Sequence, residues 1–148
     1  LELVASTLKV KAFDKNISID FENTNTPVMV YADYEKIQRV IYNLLDNAIK
    51  FTNKNGKIIL KAEELDQKAY ISIIDNGIGM KEDEQARVFD RLYKADSSRG
   101  MDKTGSGLGL SIVKEFIKAH NEEIFVKSTL GKGSTFTFTL KLYNKNKK

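Results

Sequence analysis

The sequence predicts an α/β sandwich of the α+β kind, in which one mixed, mostly antiparallel sheet carries its helices on one face. Three observations predict it. Residues 33–53 place apolar side chains at helical spacing, residues 57–75 alternate apolar and polar on both sides of a polar turn, and helical and extended patterns intermix along 148 residues. A chain of this length buries roughly two thirds of the surface it exposes when unfolded. One core follows, and one domain spanning residues 1–148.

The elements come in order. Leu1, Val4, Leu8 and Ala12 recur at helical spacing, so residues 1–14 read as a short helix. Because residue 1 is Leu and not Met, this helix is expected to continue an upstream linker. Ile17, Ile19 and Phe21 alternate with polar residues, as do residues 28–31 after Pro27, and two short strands are expected there. Asp33 is a good N-cap for the long helix, and Asn53, Asn55 and Gly56 stop it. Residues 57–65 and 68–75 then make a hairpin around Asp66 and Gln67. Between residues 76 and 104 the periodicity weakens, with a short helix near 82–92 and a polar, glycine-containing stretch after it. A long segment with so little pattern reads as a functional lid or a linker. Leu108, Ile112, Val113, Phe116 and Ile117 restore helical spacing over 107–120, and residues 123–128 and 135–142 close the chain as strands around a Gly131-Lys132-Gly133 turn.

Composition narrows the function classes. A hydrophobic fraction of 41% with 30% charged residues is that of a folded soluble domain, which excludes disorder and fibrous repeats. No apolar run approaches the roughly 20 residues that span a bilayer. With no cysteine there is no disulfide framework, thiolate metal site or cysteine nucleophile. The net charge of +4 owes much to tail residues Lys141, Lys145, Lys147 and Lys148, so no basic stripe points to nucleic acid. The same balance suits a polyanion such as a nucleotide triphosphate.

Four features could carry chemistry. On the long helix, Asn43, Asn47 and Lys50 share an arc of about 60°, opposite the apolar face of Ile37, Val40, Ile41, Leu44, Leu45 and Ala48. Asparagine is a mediocre helix former, whereas its amide oxygen can complete the shell of a magnesium ion that already holds phosphate and water oxygens. Lys50, one turn on, can reach those phosphates. The second feature is Asp75-Asn76-Gly77-Ile78-Gly79-Met80 at a strand end, where glycines bring backbone close to a ligand and Asp75 can accept from the exocyclic amine of adenine. Alone it is equally a tight turn. Third, Gly105-Ser106-Gly107-Leu108-Gly109-Leu110-Ser111 opens a helix whose unobstructed amides suit phosphate oxygens, though such a loop also serves as a hinge. Neither a dinucleotide fingerprint nor a P-loop has its glycines, lysine and hydroxyl at the spacing found here. Fourth, Gly131-Lys132-Gly133-Ser134-Thr135-Phe136 leads into a strand and reads by itself as a hairpin turn. His120, the only histidine, reads as a helix-end or surface residue.

In this order the features resemble the histidine kinase catalytic domain of the GHKL ATPase superfamily. NLLDNAIKFT resembles its asparagine box, DNGIGM its first glycine box, VFDRLYKADSS its phenylalanine box, GSGLGLSIVK its second glycine box and GKGSTFTF its last strand motif. The resemblance implies the Bergerat fold, with ATP between the long helix and a mobile lid over residues 76–104. It makes Asn47 the magnesium ligand with Asn43 beside it, Lys50 a phosphate contact and Phe51 a neighbour of adenine. Asp75 becomes the adenine reader, with Gly77, Gly79, Met80 and Thr135 around the same base. Gly105, Gly107 and Gly109, with Ser106, Leu108 and Leu110 between and after them, face the phosphates, and Phe89 and Tyr93 anchor the lid. Lys94 stands where many relatives have arginine, which replaces a bidentate phosphate contact with a point charge.

The family's phosphoacceptor histidine, followed by an acidic residue, has no counterpart in this chain. The resemblance therefore implies transfer of the γ-phosphoryl of ATP to a histidine on an upstream dimerisation domain, and thence to a response regulator aspartate. It also implies a monomeric isolated domain, a homodimeric intact protein anchored in the cell membrane, and a cytoplasmic location for this part. The same motifs serve members in which ATP drives a clamp or is only bound; the VFDRLYKADSS segment and the short length favour the kinase.

Overall fold

The computed structural model describes residues 1–23, 26–95 and 107–144. Helix α1 (Glu2–Asp14) precedes strand β1 (Ser18–Asn23), and the long helix α2 (Tyr34–Phe51) crosses over to the hairpin β2 (Lys57–Leu65) and β3 (Lys68–Asp75). A short α3 (Glu82–Arg87) and then α4 (Gly109–Ala119) follow, before β4 (Ile124–Thr129) and β5 (Gly133–Lys141). The sheet order is β1-β2-β3-β5-β4. Only β1 and β2 run parallel, as the α2 crossover between them requires. The other three pairings are antiparallel.

Local chemistry explains the boundaries. Asp33 caps α2 by accepting the amide of Lys36 at 3.1 Å. At the β2–β3 turn Asp66 and Gln67 both adopt positive φ, the mirror-image turn whose twist matches two antiparallel strands. The pleat puts Ile58 and Leu60 of β2, Ile71 and Ile73 of β3, and Phe136, Phe138 and Leu140 of β5 on one face. Helices α1, α2 and α4 cover that face with Leu8, Leu44, Leu45, Val113 and Ile117. Each such side chain contributes about 1.5–3 kcal/mol by leaving water. The opposite face is more polar, and Ser72 and Thr137 hydrogen-bond across it at 2.8 Å.

Two expectations need correction. Residues 28–31 form no strand: Val30 makes a single bridge to Leu142, flanked by backbone bonds from Tyr31 N to Lys141 O and from Tyr143 N to Met29 O. Val28 and Val30 pack partly buried against the core while Met29 and Tyr31 stay exposed, so the expected alternation is present, but the ladder is bridged at Val30 alone and is too short to count as a strand. The helix expected over 82–92 stops at Arg87, where three-residue turns take over with Asp90 N donating to Arg87 O at 2.9 Å and Tyr93 N to Asp90 O at 3.2 Å, and Leu92, at positive φ, then donates from its amide to Gly107 O at 2.9 Å. No helix among the described residues is long and apolar enough to cross a membrane.

Candidate functional site

A cavity opens at the C-terminal end of β3, between α2 and α4. Helix α2 supplies one wall, because the apolar stripe that packs on the sheet leaves Asn43, Asp46, Asn47 and Lys50 on the adjoining arc, with Phe51 at the helix end. Asn43 Nδ2 donates to Gly109 O at 3.4 Å, which ties this wall to the start of α4. Asp46 is held between two lysines, 2.9 Å from Lys11 and 3.3 Å from Lys50, so its charge is neutralised inside the wall.

The floor is β3 and the turn beyond it. Asp75 is buried at the strand end and its Oδ1 accepts from the amides of Gly77 at 2.9 Å and Ser134 at 3.3 Å. Asp75 lines the cavity, and its Oδ2 takes no hydrogen bond among the described residues. Burial pushes the Asp75 carboxyl up from its ordinary value, and the two amide donors oppose that push. Such a carboxylate is a strong acceptor awaiting a donor.

The turn has no room for side chains at its glycines. A Cβ on Gly77 would collide with the carbonyl of Phe51, and one on Gly79, at φ +67°, would collide with the backbone of Thr129. Ile78 then bridges the turn, donating from its amide to Phe51 O at 3.0 Å and accepting from Gly131 N at 2.7 Å. Asp75, Gly79 and the end of α2 are thus one unit.

The remaining walls come from Gly107, Gly109 and Leu110 at the start of α4 and from Val88, Tyr93, Lys94 and Ala95 above the mouth. Helix α4 opens with no side-chain cap and no acidic residue in its first turn, so its leading amides suit an anion. Tyr93 stacks under the Arg87 guanidinium, 4.5 Å away.

Of the residues singled out from sequence, Asn43, Asn47, Lys50, Phe51, Asp75, Gly79, Met80, Tyr93, Lys94, Gly107, Gly109 and Leu110 meet at this cavity. Gly77 lies just behind it, bonded to Asp75. Phe89 packs edge-on against Phe136, with ring centroids 6.0 Å apart, and anchors the wall without lining it. Leu108 is the residue at the start of α4 and also lies outside the cavity. Gly105 and Ser106 lie outside the described residues, as do residues 96–104 of the expected lid.

Thr135 is a correction. It pairs with Ile74 and Lys127, and the two-residue period of the strand turns it to the opposite face, while its neighbours Ser134 and Phe136 reach the cavity. The alternation of strand β5 was the signal available for this. Asp46, Ile78, Val88, Ala95, Ser134 and Phe136 also line the cavity and had not been singled out. Most are apolar wall residues that only the fold brings together.

The donor set agrees with a metal held jointly with a ligand. No group of three or more histidine, cysteine or carboxylate side chains gathers among the described residues. The neutral amides of Asn43 and Asn47 suit a magnesium ion only where phosphate and water oxygens complete its shell.

Comparison with known proteins decides the family. The model for histidine kinase-, DNA gyrase B- and HSP90-like ATPases matches residues 32–144. The chain belongs to this ATPase family. Among its histidine kinase relatives, the adaptive-response sensory kinase SasA of Crocosphaera subtropica is 44% identical over 115 residues, which cover 77% of this chain and 30% of that protein. The chain thus spans about a third of the length of such relatives. In structure it resembles the catalytic domain of histidine kinase ThkA, with a TM-score of 0.81 at 29% identity, covering 95% of this chain and 90% of that one. ThkA in complex with the response regulator protein TrrA gives a TM-score of 0.79 at 26% identity, covering 99% of this chain and 40% of that one. The open five-stranded sheet is therefore that of the ATPase domain of histidine kinases, and the cavity lies among its family motifs.

Proposed function

We propose that this ATPase domain binds Mg-ATP and presents the γ-phosphoryl to a histidine on a separate phosphoacceptor domain, for relay to a response regulator aspartate. The observation that carries the reading is the pairing of two chemistries in one cavity. Asp75, with one carboxylate oxygen left without a hydrogen bond among the described residues, lines it at the end of β3, while Asn43, Asn47, Lys50 and the start of α4 line its sides. The first suits the amine of adenine. The second suits a triphosphate.

In this reading Asp75 selects adenine over guanine, whose carbonyl oxygen would face the carboxylate. Phe51, Ile78, Gly79, Met80, Ser134 and Phe136 shape the slot for the base, all of them at the cavity. Asn47, with Asn43 beside it, holds magnesium through an amide oxygen, and Lys50, Lys94, Gly107 and Gly109 face the phosphates. Magnesium, when bound, offsets the charge of the phosphate oxygens. Residues 76–104 serve as the lid, and Tyr93 and Lys94 belong to it. The chain supplies positioning and electrostatics, while the nucleophile lies on another domain of a membrane-anchored homodimer.

Calorimetry on this chain tests the binding half. Mg-ATP is expected to bind and Mg-GTP not to, and Asn47→Ala should weaken binding only when magnesium is present. Equal affinity for both nucleotides would remove Asp75 from its role, and an Asn47→Ala loss that is the same with and without magnesium would remove Asn47 from the metal.

A further inference from the structure

The last turn of an α-helix leaves four carbonyls without intrahelical partners. In α2 they belong to Ala48, Ile49, Lys50 and Phe51, at the end that walls the cavity. Each finds a donor. Thr52 Oγ1 donates to Ala48 O at 2.6 Å, and Ile78 N donates to Phe51 O at 3.0 Å. The other two are met by one side chain from elsewhere in the chain: Lys15 Nζ donates to Ile49 O at 2.8 Å and to Lys50 O at 3.0 Å.

Lys15 stands in the turn between α1 and β1, outside every motif and outside the cavity lining. Its own backbone is tied to the same region, since Asn55 N donates to Lys15 O at 3.0 Å and Asn16 Nδ2 donates to Asn55 Oδ1 at 2.7 Å. The ammonium is half-buried, and burial pulls its pKa down from the usual lysine value. Two carbonyls and the negative end of the helix dipole are what favour the charge there.

We propose that Lys15 is a positioning residue for the nucleotide site, acting through the C-terminal turn of α2. The inference rests on the nucleotide reading given above. The turn that Lys15 closes carries Lys50 and Phe51, and its last carbonyl receives the Ile78 amide from the loop that begins at Asp75. If the turn frays, the lysine aimed at phosphates, the ring beside the base and the loop behind Asp75 all lose their register together. A side chain that contacts no ligand thereby sets the fraction of molecules competent to bind one.

The test compares Lys15→Met, which keeps the stem and loses every donor, with Lys15→Arg, which keeps charge and donors. Mg-ATP affinity is measured by calorimetry on the folded fraction of each, with unfolding curves recorded separately. Lys15→Met is expected to bind roughly tenfold more weakly, as when about a tenth of the population stays competent. Lys15→Arg is expected within about threefold of the parent, an affinity change well under 1.4 kcal/mol. If Lys15→Met does not fold, Lys15→Gln replaces it, with an intermediate loss expected. Parental affinity in the folded Met or Gln variant, or a Met-sized loss in Lys15→Arg, would overturn the inference. A parent chain that binds no nucleotide would overturn the functional reading instead, so the two failures are distinct.

Discussion

At the scale of the residue, Asp75 is held in a state that costs the free domain stability when its carboxyl is ionised. Its folded carboxyl pKa lies above the unfolded value because burial penalises the charge. The folded chain therefore holds this proton more tightly, and the stability that the protonated group contributes is lost as pH rises through the folded pKa. At neutral pH the ionised form is a net cost to the free domain. In Asp75→Asn the amide oxygen is needed by Gly77 N and Ser134 N, which leaves the amide nitrogen, a donor, facing the cavity. The substitution is expected to raise the unfolding midpoint of the nucleotide-free domain. It should also weaken ATP roughly ten- to 150-fold, the equivalent of a charge-assisted hydrogen bond of about 1.5–3 kcal/mol. ATP affinity of the parent should fall as pH drops through the raised Asp75 value, and that dependence should vanish in the variant. Calorimetry at a series of pH values, beside thermal unfolding, checks both signs.

At the scale of the element, the loop after β3 is a rigid bracket. Gly79 and Gly131 both adopt positive φ, yet a Cβ on Gly79 meets the Thr129 backbone while one on Gly131 meets nothing within 4 Å. Alanine at either site incurs backbone strain of about 1–3 kcal/mol. Only Gly79→Ala must also displace β4 from the loop. Urea denaturation should therefore find Gly79→Ala the more destabilised, and only that variant should lose nucleotide affinity; equal effects would mean that the bracket yields. The described residues of the proposed lid, 76–95, hold only the short α3. Amide exchange there is expected to slow when a nonhydrolysable ATP analogue binds, more than in β5, whose amides pair with neighbours on both sides.

At the scale of the whole molecule, this chain should not label itself with Mg-ATP, yet should phosphorylate a separately made histidine domain of its parent protein. His120 is its only histidine. Both ring nitrogens are engaged, one 2.6 Å from Phe116 O and the other accepting from Asp33 N at 3.0 Å, at the end of α4 remote from the cavity. At 1.5 Å per residue that end is roughly 15–20 Å from the helix start, beyond in-line attack. Without a covalent linker, transfer should be slow and rise with acceptor concentration. Acid-labile label on the acceptor, absent in Asp75→Asn, is the expected result. Steady hydrolysis with no transfer would move the chain to the clamp-type members of its family.

The sequence by itself determined the strands and helices wherever a periodic apolar pattern met a terminating residue. The hairpin at Lys57–Leu65 and Lys68–Asp75 matches its expected bounds, and α2 starts at the expected Asp33 cap. It also picked out four polar residues that meet at the cavity, Asn43, Asn47, Lys50 and Asp75, because they stand at fixed spacing within contiguous motifs, while Asp46 and Ser134 of the same lining escaped it. Tertiary structure alone decided which face of β5 meets the cavity, so that Ser134 and Phe136 replace Thr135 there. It alone cut short the helix after Arg87 and reduced residues 28–31 to one bridge. Above all it decided Lys15, whose partners Ile49 and Lys50 are backbone carbonyls more than 30 residues away along the chain. A carbonyl looks the same at every position of a sequence. Which ones need a partner, and which side chain arrives to supply it, is settled only when helix ends and loops pack together.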